Sequence, residues 1–276
     1  MLKNDATANL RRQNQLLFLL CLATVAVIIV TLLTVAGSGM NEPKTDQISV
    51  NDPRPVALAV ETLEKKYGWI ITYEDPPYVH ESELVDVTEK VRRDLDKFKP
   101  GQAPKVLIPK GGDLTLKYSI DPATKKPVDS AVVVQQLLDA YAIAGNPGVF
   151  RLDRDGERLH IFAGAAKGKD GVLVAHRSVF DVPITLPAQK RNGLELLDAF
   201  CSAVSQASGT RVVLATVPMT LFFRYQTESG AKEQRARDFL THEFDRMNNI
   251  KLSWRLLYDP VSKAYFLNIH TVSSLP

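Results

Sequence analysis

One stretch constrains this chain more than any other. Leu16 to Ala36, LLFLLCLATVAVIIVTLLTVA, carries no charge, proline or glycine. A helix rises about 1.5 Å per residue, so this segment covers the roughly 30 Å hydrocarbon core of a bilayer. Its hydroxyls, on Thr24, Thr31 and Thr34, can bond back to their own helix carbonyls and leave no orphan donor in lipid. The segment therefore predicts a transmembrane helix. Lys3, Arg11 and Arg12 precede it, whereas the following GSGMNEPKTDQ sets Lys44 against Glu42 and Asp46. The positive-inside bias then predicts a cytoplasmic tail over residues 1–15, a single pass over 16–36 and translocation of everything beyond. Thr34-Val35-Ala36 also fits a small-residue cleavage site, the competing reading. The apolar run is longer than the roughly 7–15 residues of a signal-peptide core, which favours an uncleaved anchor. Cys21 sits mid-span and reads as a small apolar residue.

Charge narrows the partners. Lysine and arginine number 34 against 31 acidic residues, a net +3, and they are scattered without a continuous basic stripe. That pattern lacks the electrostatic footprint of nucleic acid binding. Outside the span, Cys201 is the one cysteine, so no intrachain disulfide is expected. It lies in LELLDAFCSAV at helical spacing, where burial as a small hydrophobe is expected rather than nucleophilic chemistry.

Residues 37–52, GSGMNEPKTDQISVND, lack periodicity and read as a tether. Val56, Ala57, Val60, Leu63 and Tyr67 then recur at spacings of three and four, one apolar helix face stopped by Gly68. Trp69 to Tyr73 form a β-branched and aromatic strand, ended by Glu74-Asp75-Pro76-Pro77. Residues 79–113 are the least regular and read as an insertion, with a helical piece over ESELVDVTEKVRRDLDKF. Leu114, Leu116, Tyr118 and Ile120 alternate as a half-buried strand. Asp129 or Ser130 can cap a helix carrying Val133, Val134, Leu137, Leu138, Tyr141 and Ala142, stopped at Gly145. VFRL and RLHIF follow as a hairpin turned by DRDGE.

GAAKGKDG, residues 164–171, is a second break in composition and the expected linker. Beyond it the order recurs. An entry strand near VFDVPITL leads into a helix from Asn192 to Ala207, stopped by Gly209 as Gly68 stopped the first. Arg211 to Leu214 form a strand, and Met219, Leu221, Phe223 and Tyr225 alternate in the next. A helix spans Ala231 to Met247, and LSWRLLY and AYFLNIH close the unit as a hairpin. The expected fold class is α+β: a transmembrane helix followed by two small repeated α-β-β-α-β-β domains, residues 53–163 and 172–272.

This pattern, with LEKKYG and GWIITYEDP in the first copy, LLDAY ending its second helix, and GTRVVLATVPMTLFFRY in the second copy, resembles the small N-terminal repeat domains of bacterial secretins and signalling TonB-dependent receptors, the STN-type fold. The resemblance implies a periplasmic module that docks on other proteins or stacks with its own copies. It implies no catalysis.

The search for chemistry is nearly empty. His242-Glu243 opens like a zinc-protease helix, but Arg246 stands where the second ligand histidine belongs. His80, His160, His176, His242 and His270 show no ligand spacing, and no GxSxG, P-loop or dinucleotide fingerprint occurs. Asp153, Asp155 and Glu157 sit in a turn too short for a calcium loop. No cofactor or metal is expected, and the chain does not read as an enzyme. One polar and aromatic cluster stands out: Tyr73, Glu74, Asp75, Pro76, Pro77, Tyr78 and His80. It fits a rigid turn, a docking edge, or a pair of acid–base carboxylates without a visible nucleophile. The whole then reads as a single-pass protein of the bacterial inner membrane with a periplasmic C-terminal region. It would serve as an assembly or coupling component of an envelope machine such as a secretion or pilus system. Its partners would be the bilayer through Leu16–Ala36, and envelope proteins or itself through sheet edges. The alternative is a periplasmic signalling or sensing component, and behind it a membrane-tethered enzyme, which would need a constellation of residues that is not visible.

Overall fold

A glycine in the left-handed region ends each of two long helices and turns the chain into a strand. In the first case α1 (Pro55–Tyr67) starts with proline in its first turn, buries Val56, Ala59, Val60 and Leu63, and stops at Gly68 (φ 69°). The Gly68 N–H closes the helix on the Glu64 carbonyl at 2.8 Å, a conformation that costs glycine no Cβ clash. Next comes β2 (Ile70–Glu74), buried on both faces, as a strand covered on both sides must be. The computed structural model describes residues 44–247 and 250–273. The predicted cytoplasmic tail and transmembrane segment lie outside the described residues, among which no helix is long and apolar enough to cross a membrane.

The predicted tether is in part a strand. β1 (Lys44–Asp52) pairs with β5 (Gly112–Ile120), the strand expected from the alternation of Leu114, Leu116, Tyr118 and Ile120. Ser49 meets Thr115 at 3.0 Å and Asn51 donates to Asp113 at 2.6 Å, so the two run antiparallel. Ile48 is the one buried position of β1, and a single apolar residue gives no periodicity to read.

Between β2 and β5 the insertion is not the helix expected over residues 81–98. It forms β3 (Leu84–Asp86), a one-turn helix α2 (Thr88–Val91) and β4 (Leu107–Pro109). β3 pairs antiparallel with β4, Leu84 opposite Pro109. Asp86 accepts the Thr88 N–H at 3.0 Å, and such local bonding competes with helix propagation. α3 (Ser130–Ile143) then starts on the Asp129 cap, whose carboxylate accepts the Ala131 N–H at 2.8 Å. It buries Val133, Val134, Leu137, Leu138 and Tyr141, while Ala142 is exposed. β6 (Val149–Asp155) and β7 (Arg158–Lys167) form the hairpin expected around DRDGE. The predicted linker begins instead as strand: residues 164–167 complete β7, and 165–167 pair with β8 (Leu173–Ala175), Ala165 opposite Ala175.

β9 (Pro183–Asn192) leads into α4 (Gly193–Ser208) through a reciprocal cap. The Asn192 side chain accepts the Glu195 N–H at 3.0 Å and Glu195 accepts the Asn192 N–H at 2.9 Å. A Cβ on Gly193 would lie 2.8 Å from the Phe222 carbonyl, so only glycine fits there. After Gly209 (φ 69°) come β10 (Val212–Leu214), α5 (Met219–Arg224), β11 (Gln226–Arg235), α6 (Ala236–Arg246), β12 (Leu252–Asp259) and β13 (Ala264–Thr271). Two expectations fail in this stretch. Residues 219–224 are helical rather than a strand, with Phe222 inward and Met219 and Phe223 exposed. Residues 231–235 belong to β11, so the last helix starts at Ala236.

The described residues are thus α+β, with six helices and thirteen strands. The largest sheet runs β10-β13-β12-β2-β7-β6, with β8 beside β7; β1-β5, β9-β11 and β3-β4 are separate pairs. One apolar core lies in the first half around Val60, Leu63, Leu137 and Ile161, and another in the second around Phe180, Phe200, Phe239 and Trp254. They meet where β2 and β12 pair in parallel, Arg255 opposite Tyr73 and Leu256 opposite Glu74.

Candidate functional site

The cluster singled out in the sequence lies on this seam. Tyr73, Glu74, Asp75, Pro76 and Tyr78 are buried, and Pro77 and His80 are half-buried, so the cluster is not a solvent-facing docking edge. Its polar groups are taken up inside the chain. Asp75 accepts Arg54 Nε (2.6 Å), the Tyr73 hydroxyl (2.7 Å) and the Tyr258 N–H (2.8 Å). Its own N–H donates to the Leu256 carbonyl at 2.9 Å. Glu74 instead accepts the Ser178 hydroxyl (2.5 Å) and the Val179 N–H (3.1 Å), with Arg237 Nη2 at 3.6 Å. The two carboxylates therefore hold different partners and do not converge as an acid–base pair. His80 caps a local turn, sharing a hydrogen bond with Ser82 Oγ at 2.7 Å.

Burial raises both carboxyls above their ordinary range, and the facing Arg237 and Arg54 only partly offset it. Glu64, on α1, behaves differently. Burial pushes it up, but His270 (3.0 Å) and Arg255 (2.5 Å) outweigh that and hold it below the usual value. Ser253 also donates to the Ile71 carbonyl at 2.8 Å across the seam. Arg158 reaches over to the Leu252 carbonyl at 3.0 Å and pairs with Asp245. His160 lies beneath, stacked on Trp254 with ring centroids 5.6 Å apart and bonded to Thr72 at 2.8 Å. Burial, reinforced by Arg237, Arg158 and Arg235, drives its pKa down to about 3. It is a neutral structural ring at any physiological pH.

The remaining sequence candidates are structural as well. Cys201 is buried on α4, and burial pushes its thiol up to about 12, far from a reactive thiolate. His242 is exposed on α6, while the adjacent Glu243 points inward to accept Ser229 Oγ at 2.9 Å and Arg246 at 3.0 Å. Among the described residues no group of three or more His, Cys, Asp or Glu side chains gathers to hold a metal ion.

Two features could not be located from the sequence: which strands form the expected sheet edges, and a cavity. The main sheet ends on β6 at one side and β10 at the other, each with one neighbour. The second is a cavity of about 480 Å³ between the insertion, the end of α3 and the β7–β8 turn, walled in part by Glu83, Lys110 and Lys167. Glu83 is only 2% exposed, and neither of its oxygens has a hydrogen-bond partner. Its neighbours read as a charged helix, which places such a residue in solvent, so no signal marked it. No family model, curated protein or solved structure matches this chain.

Proposed function

We propose that this chain is a membrane-anchored periplasmic interaction module, an assembly or coupling component of a bacterial envelope machine, built from two STN-like units behind the Leu16–Ala36 anchor. One observation carries the reading: two halves of matching connectivity dock on each other through strand edges. In each half the strand after a glycine-stopped helix, β2 or β10, pairs in parallel with the second strand of a hairpin, β7 or β13. The entry strand, β1 or β9, pairs with the strand before the second helix, β5 or β11. The β2–β12 junction is then an edge-to-edge addition of one unit to the other. β6 and β10 keep edges of the same kind, suited to a partner strand or a second copy.

Photo-crosslinking amino acids placed at Asp153 on β6 and Val213 on β10 of the full-length chain, in intact cells, test this. Capture of the chain itself, or of secretion or pilus components, is the expected result. A chain that fractionates away from the inner membrane, or that captures nothing above background at either edge, would refute the proposal.

A further inference from the structure

The cavity beside Glu83 is lined by charges of both signs, and their arrangement is specific. Glu83 is nearly sealed from solvent and its oxygens have no close hydrogen-bond partner; the Lys167 and His80 charges and the Gly148 N–H favour its charged form, but less than burial disfavours it, so the carboxylate is incompletely answered. α3 ends at the same cavity: Ala144 and Gly145 belong to its wall, and the last turn of the helix carries no basic side chain. The carbonyls of that turn therefore add partial negative charge on the side of Glu83. Opposing them are two ammonium groups. Lys167 donates to Ser82 Oγ at 3.3 Å, and Lys110 is exposed. Leu173 and Val149, 52% and 42% exposed, add an apolar rim.

We propose that this cavity binds a small zwitterion, a ligand with a primary ammonium group and an anionic group a few ångströms apart. The ammonium answers Glu83 and the α3 carbonyls, and the anionic group bridges Lys110 and Lys167. A simple cation would leave the lysines facing it, and a simple anion would face Glu83. Burial raises the Glu83 pKa by more than Lys167, His80 and the Gly148 N–H lower it, so a further cation beside the carboxyl would be accommodated. Free α-amino acids and phosphoethanolamine headgroups share this chemistry. The inference does not rest on the docking reading.

Calorimetric titration of the full-length chain tests it, using L-leucine and O-phosphoethanolamine as probes. Isoamylamine and 4-methylvalerate, each carrying one of leucine's two charges, serve as half-ligands. Saturable binding of a zwitterion is expected, with half-ligands at least about tenfold weaker and Glu83→Gln and Lys167→Met each costing about tenfold in affinity. Tighter binding of L-leucine assigns an amino acid, and tighter binding of phosphoethanolamine assigns a headgroup. The proposal is overturned if neither zwitterion saturates below about 10 mM, or if Glu83→Gln binds as the parent does. Should Glu83→Gln fail to fold, Lys167→Met decides on the same criterion, because its side chain is half-buried at the surface.

Discussion

Arg255 is the side chain on which the seam most visibly depends. From β12 it reaches Glu64 on α1 at 2.5 Å, both groups nearly sealed, and it also touches the Ile71 carbonyl at 3.4 Å. Arg255→Ala leaves a buried carboxylate with His270 as its remaining charged partner. The expected cost is about 3 kcal/mol, the range for stranding one member of a buried pair, read as a lowered urea midpoint. His160 makes a second prediction, in acid. Unfolded, it titrates near its ordinary value of 6.5; folded, it is held at about 3. Above pH 6.5 neither state binds the proton and the ring contributes no slope. Below it the unfolded chain takes a proton that the folded one refuses, so stability falls by up to about 1.4 kcal/mol per pH unit. His176, also lowered by burial, acts in the same direction. Glu74 and Asp75, raised by burial, act oppositely: they favour the fold in acid and lose that as pH rises through their folded values. Comparing His160→Gln with the parent between pH 5 and 6.5 isolates the histidine contribution, and the variant is expected to lose less stability across that window. At this scale the sequence marked Tyr73, Glu74 and Asp75 as unusual, yet not their role. Their burial depends on Arg237, Tyr258 and Leu256, far away along the chain.

Among the elements, those ended by their own local chemistry were readable in advance. α1 and α4 stop at Gly68 and Gly209, α3 starts at Asp129, and β5 alternates as its sequence does. The Asn192–Glu195 cap makes that logic testable: Asn192→Ala is expected to lower stability by about 1 kcal/mol in thermal or urea unfolding. α5 and β11 were not readable, for two distinct reasons. Met219, Leu221, Phe223 and Tyr225 mimic a strand because a six-residue helix is too short to establish a 3.6-residue period. β11 turns Thr227, Ser229 and Ala231 inward, two of them polar. That burial is tolerated because Glu243 accepts Ser229 Oγ at 2.9 Å and Arg246 Nη1 donates to it at 2.6 Å. No local pattern announces a polar interior strand whose partners come from the following helix.

At the scale of the molecule, the decisive feature is that β2 sits inside the largest sheet although it belongs to the first half. Its parallel neighbour β12 comes from the far end of the chain, and the Ser253–Ile71 hydrogen bond closes a separation of 182 residues. Ribosomes add about 5–20 residues per second, so roughly ten to forty seconds pass between the synthesis of β2 and that of the strand that covers it. Throughout that interval the edge of β2 that β12 will cover is left unpaired, open to other polypeptides nearby. An organism making this protein must shield that edge, or start chains rarely enough that few copies wait at once.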